Sequence, residues 1–143
     1  GKEDFAGESA VLAILAERSA EALQAYLRLI DLDFEKGAWD QVIANAARSL
    51  AINPMKERIH YCRGCAHEAR SERDLAVQDF ERALRLGPPN PSEVRFRLAR
   101  LLATDRKEEA RRHLLDALAD SPRYLDAHAL LLEMAGDAAV SPE

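Results

Sequence analysis

The chain has 143 residues, 48% of them hydrophobic, enough for one domain with a real core and too few for two large ones. With 31% charged residues and only six glycines and six prolines, a fibrous or disordered chain is excluded. A net charge of -5 provides no global attraction to nucleic acid or to an anionic membrane.

The first predicted element lies in "DFAGESAVLAILAERSA", residues 4–20, where Val11, Leu12, Ile14 and Leu15 share one broad face. A helix covering whatever follows is expected there, or the second helix of an upstream unit. Apolar residues then recur at three- and four-residue steps and predict helices at roughly 22–35, 38–51, 57–70, 73–86, 92–103 and 106–119. Gly37, Ser71 and Asp105 break these segments into pairs, and Pro54, Pro88 and Pro122 close each pair, since proline lacks the N–H that continues a helix. The last segment, "LDAHALLLEMAG", places His128, Leu131, Leu132 and Ala135 in packing positions and leaves Leu130 and Met134 without an obvious partner. No apolar run approaches the roughly 20 residues that span a bilayer, and the N-terminus lacks a basic segment followed by an apolar core. Two cysteines three apart do not make a secreted disulfide framework, so a reducing compartment, the cytoplasm, is expected.

The three closing prolines are 34 residues apart, and so are the three breakers. The same offset links Val42, Ala76 and Ala110; Ala46, Phe80 and Leu114; Ser49, Ala83 and Ala117; and Leu50, Leu84 and Leu118. Short connections make neighbouring helices antiparallel, and one pair cannot bury its apolar stripe alone, so successive pairs must stack. The expected division is an N-terminal helix over 1–22, units at 23–56, 57–90 and 91–124, and a C-terminal helix and tail over 125–143, all in one domain.

In its second unit the pattern Ala76-x3-Phe80, Ala83 and Pro88, with Gly64 in a glycine slot, resembles the tetratricopeptide repeat. The third unit matches through Ala110-x3-Leu114, Ala117 and Pro122, and the first more loosely through Tyr26, Leu29, Val42, Ala46 and Pro54. Departures are Arg63 and Arg97 where that family prefers leucine, and Ile30 and Leu98 where it prefers glycine. The resemblance implies an all-α, right-handed superhelical solenoid of antiparallel helix pairs, about three units with flanking helices. It also implies a protein-binding groove lined by the first helix of each unit.

The stretch "HYCRGCAH", His60 to His67, carries two histidines and two cysteines in eight residues. On a helix turning about 100° per residue the histidines share a side and the cysteines face away from it, so one zinc ion cannot gather all four. The cysteines lie inside a helix rather than at an N-terminus following a strand, which argues against a redox dithiol. Both histidines are expected to pack between helices, and Gly64 to admit a closely approaching partner helix. Trp39, just after Gly37, is expected to brace a helix pair.

The side of each first helix opposite its packing stripe supplies the candidate groove: Gln24, Leu27, Arg28 and Asp31; Arg58, Tyr61, Cys62 and Cys65; Ser92, Arg95, Phe96 and Ala99. Tyr61 and Phe96 need a cover there, and the arginines around them suit an acidic, partly apolar segment. One subfamily of the tetratricopeptide repeat grips chaperone carboxylate tails with lysines and asparagines on this face. The matching positions here hold Leu27, Asp31, Cys62, Ser92 and Phe96, so that clamp is absent.

Catalytic signatures are missing: there is no phosphate-binding glycine loop, no Gly-x-Ser-x-Gly and no His-Glu-x-x-His. The basic run "VRFRLARLLATDRKEEARRH" is interleaved with Glu108 and Glu109 and reads as a solvated helix pair rather than a nucleic-acid stripe. The expectation is a protein–protein interaction scaffold, one module of a larger protein, without metal, cofactor, nucleic acid or membrane. The alternatives are an accessory domain of a larger enzyme and a homo-oligomerisation module that associates through its C-terminal helix.

Overall fold

A computed structural model describes residues 2–140, with side chains over 7–137. The helices are α1 (Lys2–Lys36), α2 (Trp39–Ile52), α3 (Glu57–Ala69), α4 (Arg73–Leu86), α5 (Pro91–Leu102), α6 (Lys107–Asp120) and α7 (Leu125–Val140), and no strand occurs among the described residues. From residue 38 to 119 every predicted helix end lies within one residue of the observed one.

Local chemistry explains why the breaks fall there. Gly37 and Ser71, one repeat apart, both adopt left-handed backbone, with φ of 70° and 60°, which ends α1 and α3. Gly87, at φ 83°, ends α4 in the same way. Pro88 and Pro89 follow, and the Asn90 side chain then accepts from the Glu93 N–H at 3.4 Å while Pro91 occupies the first turn of α5. This loop sets the entry angle of α5 and therefore the position of Glu93.

Helices α1 and α2, α3 and α4, and α5 and α6 pack as pairs; α2 meets α3, α4 meets α5, and α6 meets α7. The 34-residue periodicity is a periodicity of burial: Val42, Ala76, Ala110, Ala46, Phe80, Leu114, Ser49, Ala83 and Ala117 are all wholly buried. Two apolar clusters result. One joins Ile30, Val42, Ala46, Ile59, Cys62 and Ala66 across α1 to α3, and the other centres on Phe80, Leu98, Leu102 and Leu114. Trp39 braces the first pair, its ring edge-on to Phe34 at 5.3 Å. A second recurrence appears at the unit boundaries: His60 Nε2 is 2.9 Å from the Pro54 carbonyl and His128 Nε2 2.8 Å from the Pro122 carbonyl.

Both ends differ from expectation. The segment expected to cover the first unit continues straight into the first helix of that unit as α1, and residues 7–20 are all exposed. Val11, Leu12, Ile14 and Leu15 form their common face but do not fold back, because residues 16–25 contain no glycine or proline to interrupt the helix. Mutating these four to a mixture of lysine and glutamate is therefore expected to shift the stability of the isolated chain by less than about 0.5 kcal/mol, measured by urea unfolding.

At the other end α7 packs through the expected Leu131 together with Ala127, Leu130 and Met134, while His128, Leu132 and Ala135 are exposed. Leu132 is 74% exposed. The helix is rotated so that Leu130 and Met134, which had no partner in the sequence reading, reach the second cluster beside Phe96 and Tyr124.

Candidate partner-binding groove

Helices α1, α3 and α5, the first helices of three successive pairs, together with the α4–α5 loop, enclose a cleft of about 460 Å³. Its apolar lining comes from Phe34, Tyr61, Cys62, Val94, Pro88 and Pro89. Of the residues expected to line a groove, the cleft gathers Arg28, Asp31, Arg58, Tyr61 and Cys62. Gln24 and Leu27 lie further towards the N-terminus of α1, outside its lining.

The other expected groove residues are placed elsewhere. Cys65 and Ala99 are buried in the second cluster. Ser92 is turned into the α5–α6 pair, its hydroxyl 3.3 Å from the Ala117 carbonyl and 3.0 Å from Ser121 Oγ. Arg95 reaches Asp116 of α6 at 3.4 Å. Phe96 belongs to a separate hollow between α5 and α7, edge-on to Tyr124 at 5.4 Å with the Arg100 guanidinium 5.5 Å from its centroid. The stripe opposite the packing side of α5 thus faces α6 and α7 more than open space, because a first helix in mid-stack has neighbours on three sides.

Tyr61 is also partly covered by its own chain. Its ring lies 6.0 Å from Phe80, the Arg97 guanidinium stands 5.8 Å from its centroid, and its hydroxyl donates to Glu93 Oε1 at 2.8 Å. Burial pushes that hydroxyl above its ordinary pKa, so it remains a donor. Arg97 in turn donates to Glu68 at 2.9 Å, so an arginine at a slot where the repeat family prefers leucine links α5 to α3.

The charges of the lining are unequal. Arg28 and Arg58 face Asp31, Glu35, Glu57 and Glu93. Arg58 is already paired with Asp31 across α3 and α1, and Glu93 is shared by Tyr61, Asn90 and Arg97. Sequence reasoning missed Phe34, Glu35, Glu57, Pro88, Pro89, Asn90, Glu93 and Val94. The signal that could have found Glu93 is the capping pattern Asn-Pro-x-Glu, which places an acid at the third position of α5.

Beneath the cleft, "HYCRGCAH" builds a polar network around a residue not singled out from the sequence. Asp79 of α4 is 2% exposed, and Arg63 grips it in bidentate fashion at 2.8 and 2.9 Å. His60 Nδ1 lies 3.5 Å from one of its oxygens and His67 Nε2 3.8 Å from the other, while His67 Nδ1 meets Glu72 at 3.1 Å. Both histidines are buried between α3 and α4, as expected, but against a carboxylate rather than apolar walls. Among the described residues no cluster with metal-ligand geometry occurs.

The cysteines are free and buried. Burial pushes the Cys62 thiol up to about 12 and the Cys65 thiol up to about 11, the opposite of what a nucleophilic dithiol requires. The folded state therefore retains these protons above the unfolded thiol pKa of about 8.5. Stability is expected to fall as pH rises from about 9 towards 11, with a smaller fall in a Cys62→Ala, Cys65→Ala variant, as read from urea midpoints across that range.

A stack of helix pairs repeating every 34 residues, with a cleft formed by the first helices, defines a helical-repeat solenoid. No protein-family model and no curated protein matches the chain in sequence. Solved structures match its fold. The first tetratricopeptide-repeat domain of Spaghetti (RPAP3) bound to the HSP90 peptide SRMEEVD aligns with a TM-score of 0.74 at 18% identity, covering 83% of this chain and 94% of that one. MamA aligns with a TM-score of 0.78 at 14% identity, covering 97% and 81%. The second tetratricopeptide-repeat domain of human RPAP3, in complex with the HSP70 peptide SGPTIEEVD, aligns with a TM-score of 0.71 at 17% identity, covering 82% and 98%. The chain has the fold of a tetratricopeptide-repeat domain.

Proposed function

We propose that the chain is a protein-interaction module that holds an extended or helical segment of another polypeptide in the cleft between α1, α3 and α5. The observation that carries this reading is the cleft itself: an apolar lining of Phe34, Tyr61, Cys62 and Val94 with charged groups at its edges, formed by helices already packed before any partner arrives. A preformed groove reduces the ordering cost of association to that of the incoming segment. The two peptide complexes of similar fold support the reading by analogy of architecture. In this reading binding is the whole activity, with no chemistry on the bound segment, and the buried free thiols suit a reducing compartment such as the cytoplasm.

To test it, random 12-residue peptides would be selected by display on the folded chain and their affinities measured by calorimetry. Pro89→Trp, which sets a large ring at the exposed mouth of the cleft, is expected to weaken the selected peptides at least about tenfold, or 1.4 kcal/mol. Peptides that bind equally well to this variant would overturn the assignment of the cleft.

A second reading concerns the ends. Val11, Leu12, Ile14 and Leu15 on α1 and Leu132 on α7 are exposed apolar residues. They suit contact with a neighbouring domain, such as the catalytic part of a larger enzyme, or with a second copy of the chain. Sedimentation over a hundredfold concentration range separates these: a mass that stays monomeric excludes self-association.

A further inference from the structure

We infer that the segment taken by the cleft carries a lysine or arginine beside an apolar residue. This rests on the cleft being the binding site, and it gives that site the opposite charge preference from the one the arginines suggested in the sequence. Arg58 is paired with Asp31, and Arg95 points to Asp116 on α6, so neither is free to receive a carboxylate. An acidic segment would have to displace Asp31 from Arg58 and leave that carboxylate unpaired.

Glu35, near the end of α1, and Glu57, at the start of α3, line the same cleft and make no ion pair among the described residues. Arg28 is the one lining cation in the same condition, so the uncommitted charge is two carboxylates against one guanidinium. The chain's net charge of -5 adds a weak field of the same sign. The apolar lining sits between these charges: Phe34 is on α1 next to Glu35, and Val94 is on α5 next to Glu93. An aliphatic or aromatic side chain would enter against Phe34, Cys62, Pro88, Pro89 and Val94 while a neighbouring ammonium or guanidinium meets Glu35 and Glu57 by charge-assisted hydrogen bonds.

The peptides selected by display are the probe. Those sensitive to Pro89→Trp are expected to carry Lys or Arg within one or two positions of a large apolar residue. The Glu35→Gln, Glu57→Gln double variant is expected to weaken them about tenfold, and raising salt from 50 to 300 mM to weaken wild-type binding more than binding to that variant. Both substitutions lie at exposed or half-exposed helix positions, and an unchanged unfolding midpoint would show that the fold is intact. Cleft-dependent peptides that are acidic or uncharged, or an affinity indifferent to the double variant, would overturn the charge preference and leave the groove standing. A selection yielding no peptide sensitive to Pro89→Trp would overturn the groove and this inference with it.

Discussion

Asp79→Ala is expected to destabilise the chain by about 3–5 kcal/mol, enough to leave a domain of this size partly unfolded at room temperature. Asp79 is nearly inaccessible to water and holds Arg63 through two short hydrogen bonds. Removing the carboxylate leaves a guanidinium whose side chain is only 19% exposed without a counter-charge. It also removes the oxygen nearest to His60 Nδ1, 3.5 Å away, from a ring nitrogen that has no hydrogen-bond partner. The partial access of Arg63 to water places the effect towards the lower end of the range. Changing both partners, Arg63→Leu with Asp79→Ala, is expected to recover part of the loss, because an apolar pair removes the desolvation cost along with the attraction. Leucine is also the residue that the repeat pattern favours at position 63. Urea unfolding of the two single variants and the double variant measures the coupling; a double variant no more stable than Asp79→Ala would show that Arg63 is not held by that carboxylate.

Gly64→Ala is expected to cost about 1–2 kcal/mol, although alanine is the better helix former by up to about 1 kcal/mol. A methyl group at position 64 would stand 2.9 Å from two ring carbons of Phe80 and 3.3 Å from the Asp79 Cβ. Phe80 is wholly buried and cannot retreat without disturbing the second cluster, so overpacking outweighs propensity. Phe80→Leu in the Gly64→Ala background is expected to return part of the loss by vacating the space in front of the new methyl group. If Gly64→Ala proved more stable than the parent in thermal unfolding, the close approach of α3 and α4 would not be what requires glycine.

The two variants probe one interface from opposite directions. Gly64 lets α4 come near enough for Asp79 to reach Arg63, His60 and His67, and the three polar side chains are kept together by that closeness. A repeat in which the interface is apolar would tolerate sliding of one helix along the other. Here the bidentate geometry between Arg63 and Asp79 ties α3 to α4 at one register. The third unit lacks the equivalent pair, since the 34-residue offset carries Arg63 to Arg97 and Asp79 to His113. Arg97 accordingly turns to Glu68 and Tyr61, between units instead of within one.

How much of this could be read beforehand depended on whether the signal was local. The residues that end helices act on their own backbone: Gly37, Ser71 and Gly87 by left-handed geometry, and the prolines by their missing N–H. Helix ends from residue 38 to 119 were therefore legible to a residue, and the columns at positions 42, 46 and 49 were legible as burial because repetition amplified them. Tyr61 and Cys62 could be placed at the cleft from helical phase alone, whereas Phe96 could not, since its cover comes from α7. The same limit applied to α7, whose rotation is decided by what Leu130 and Met134 meet on α5.

By its order of residues alone the chain determined the helices from residue 38 to 119 and their pairing at a period of 34. Helical periodicity and capping operate within a few residues of one another, and repetition at a fixed offset amplifies them, so a linear reading contains them. Only the tertiary structure decided that Asp79 is the counter-charge of Arg63, that Asp31 pairs with Arg58 and Asp116 with Arg95, and that acids outnumber arginines in the cleft lining. Side chains 16 to 32 positions apart in sequence become neighbours only when helices stack, and the sign of a surface depends on which charges find partners there.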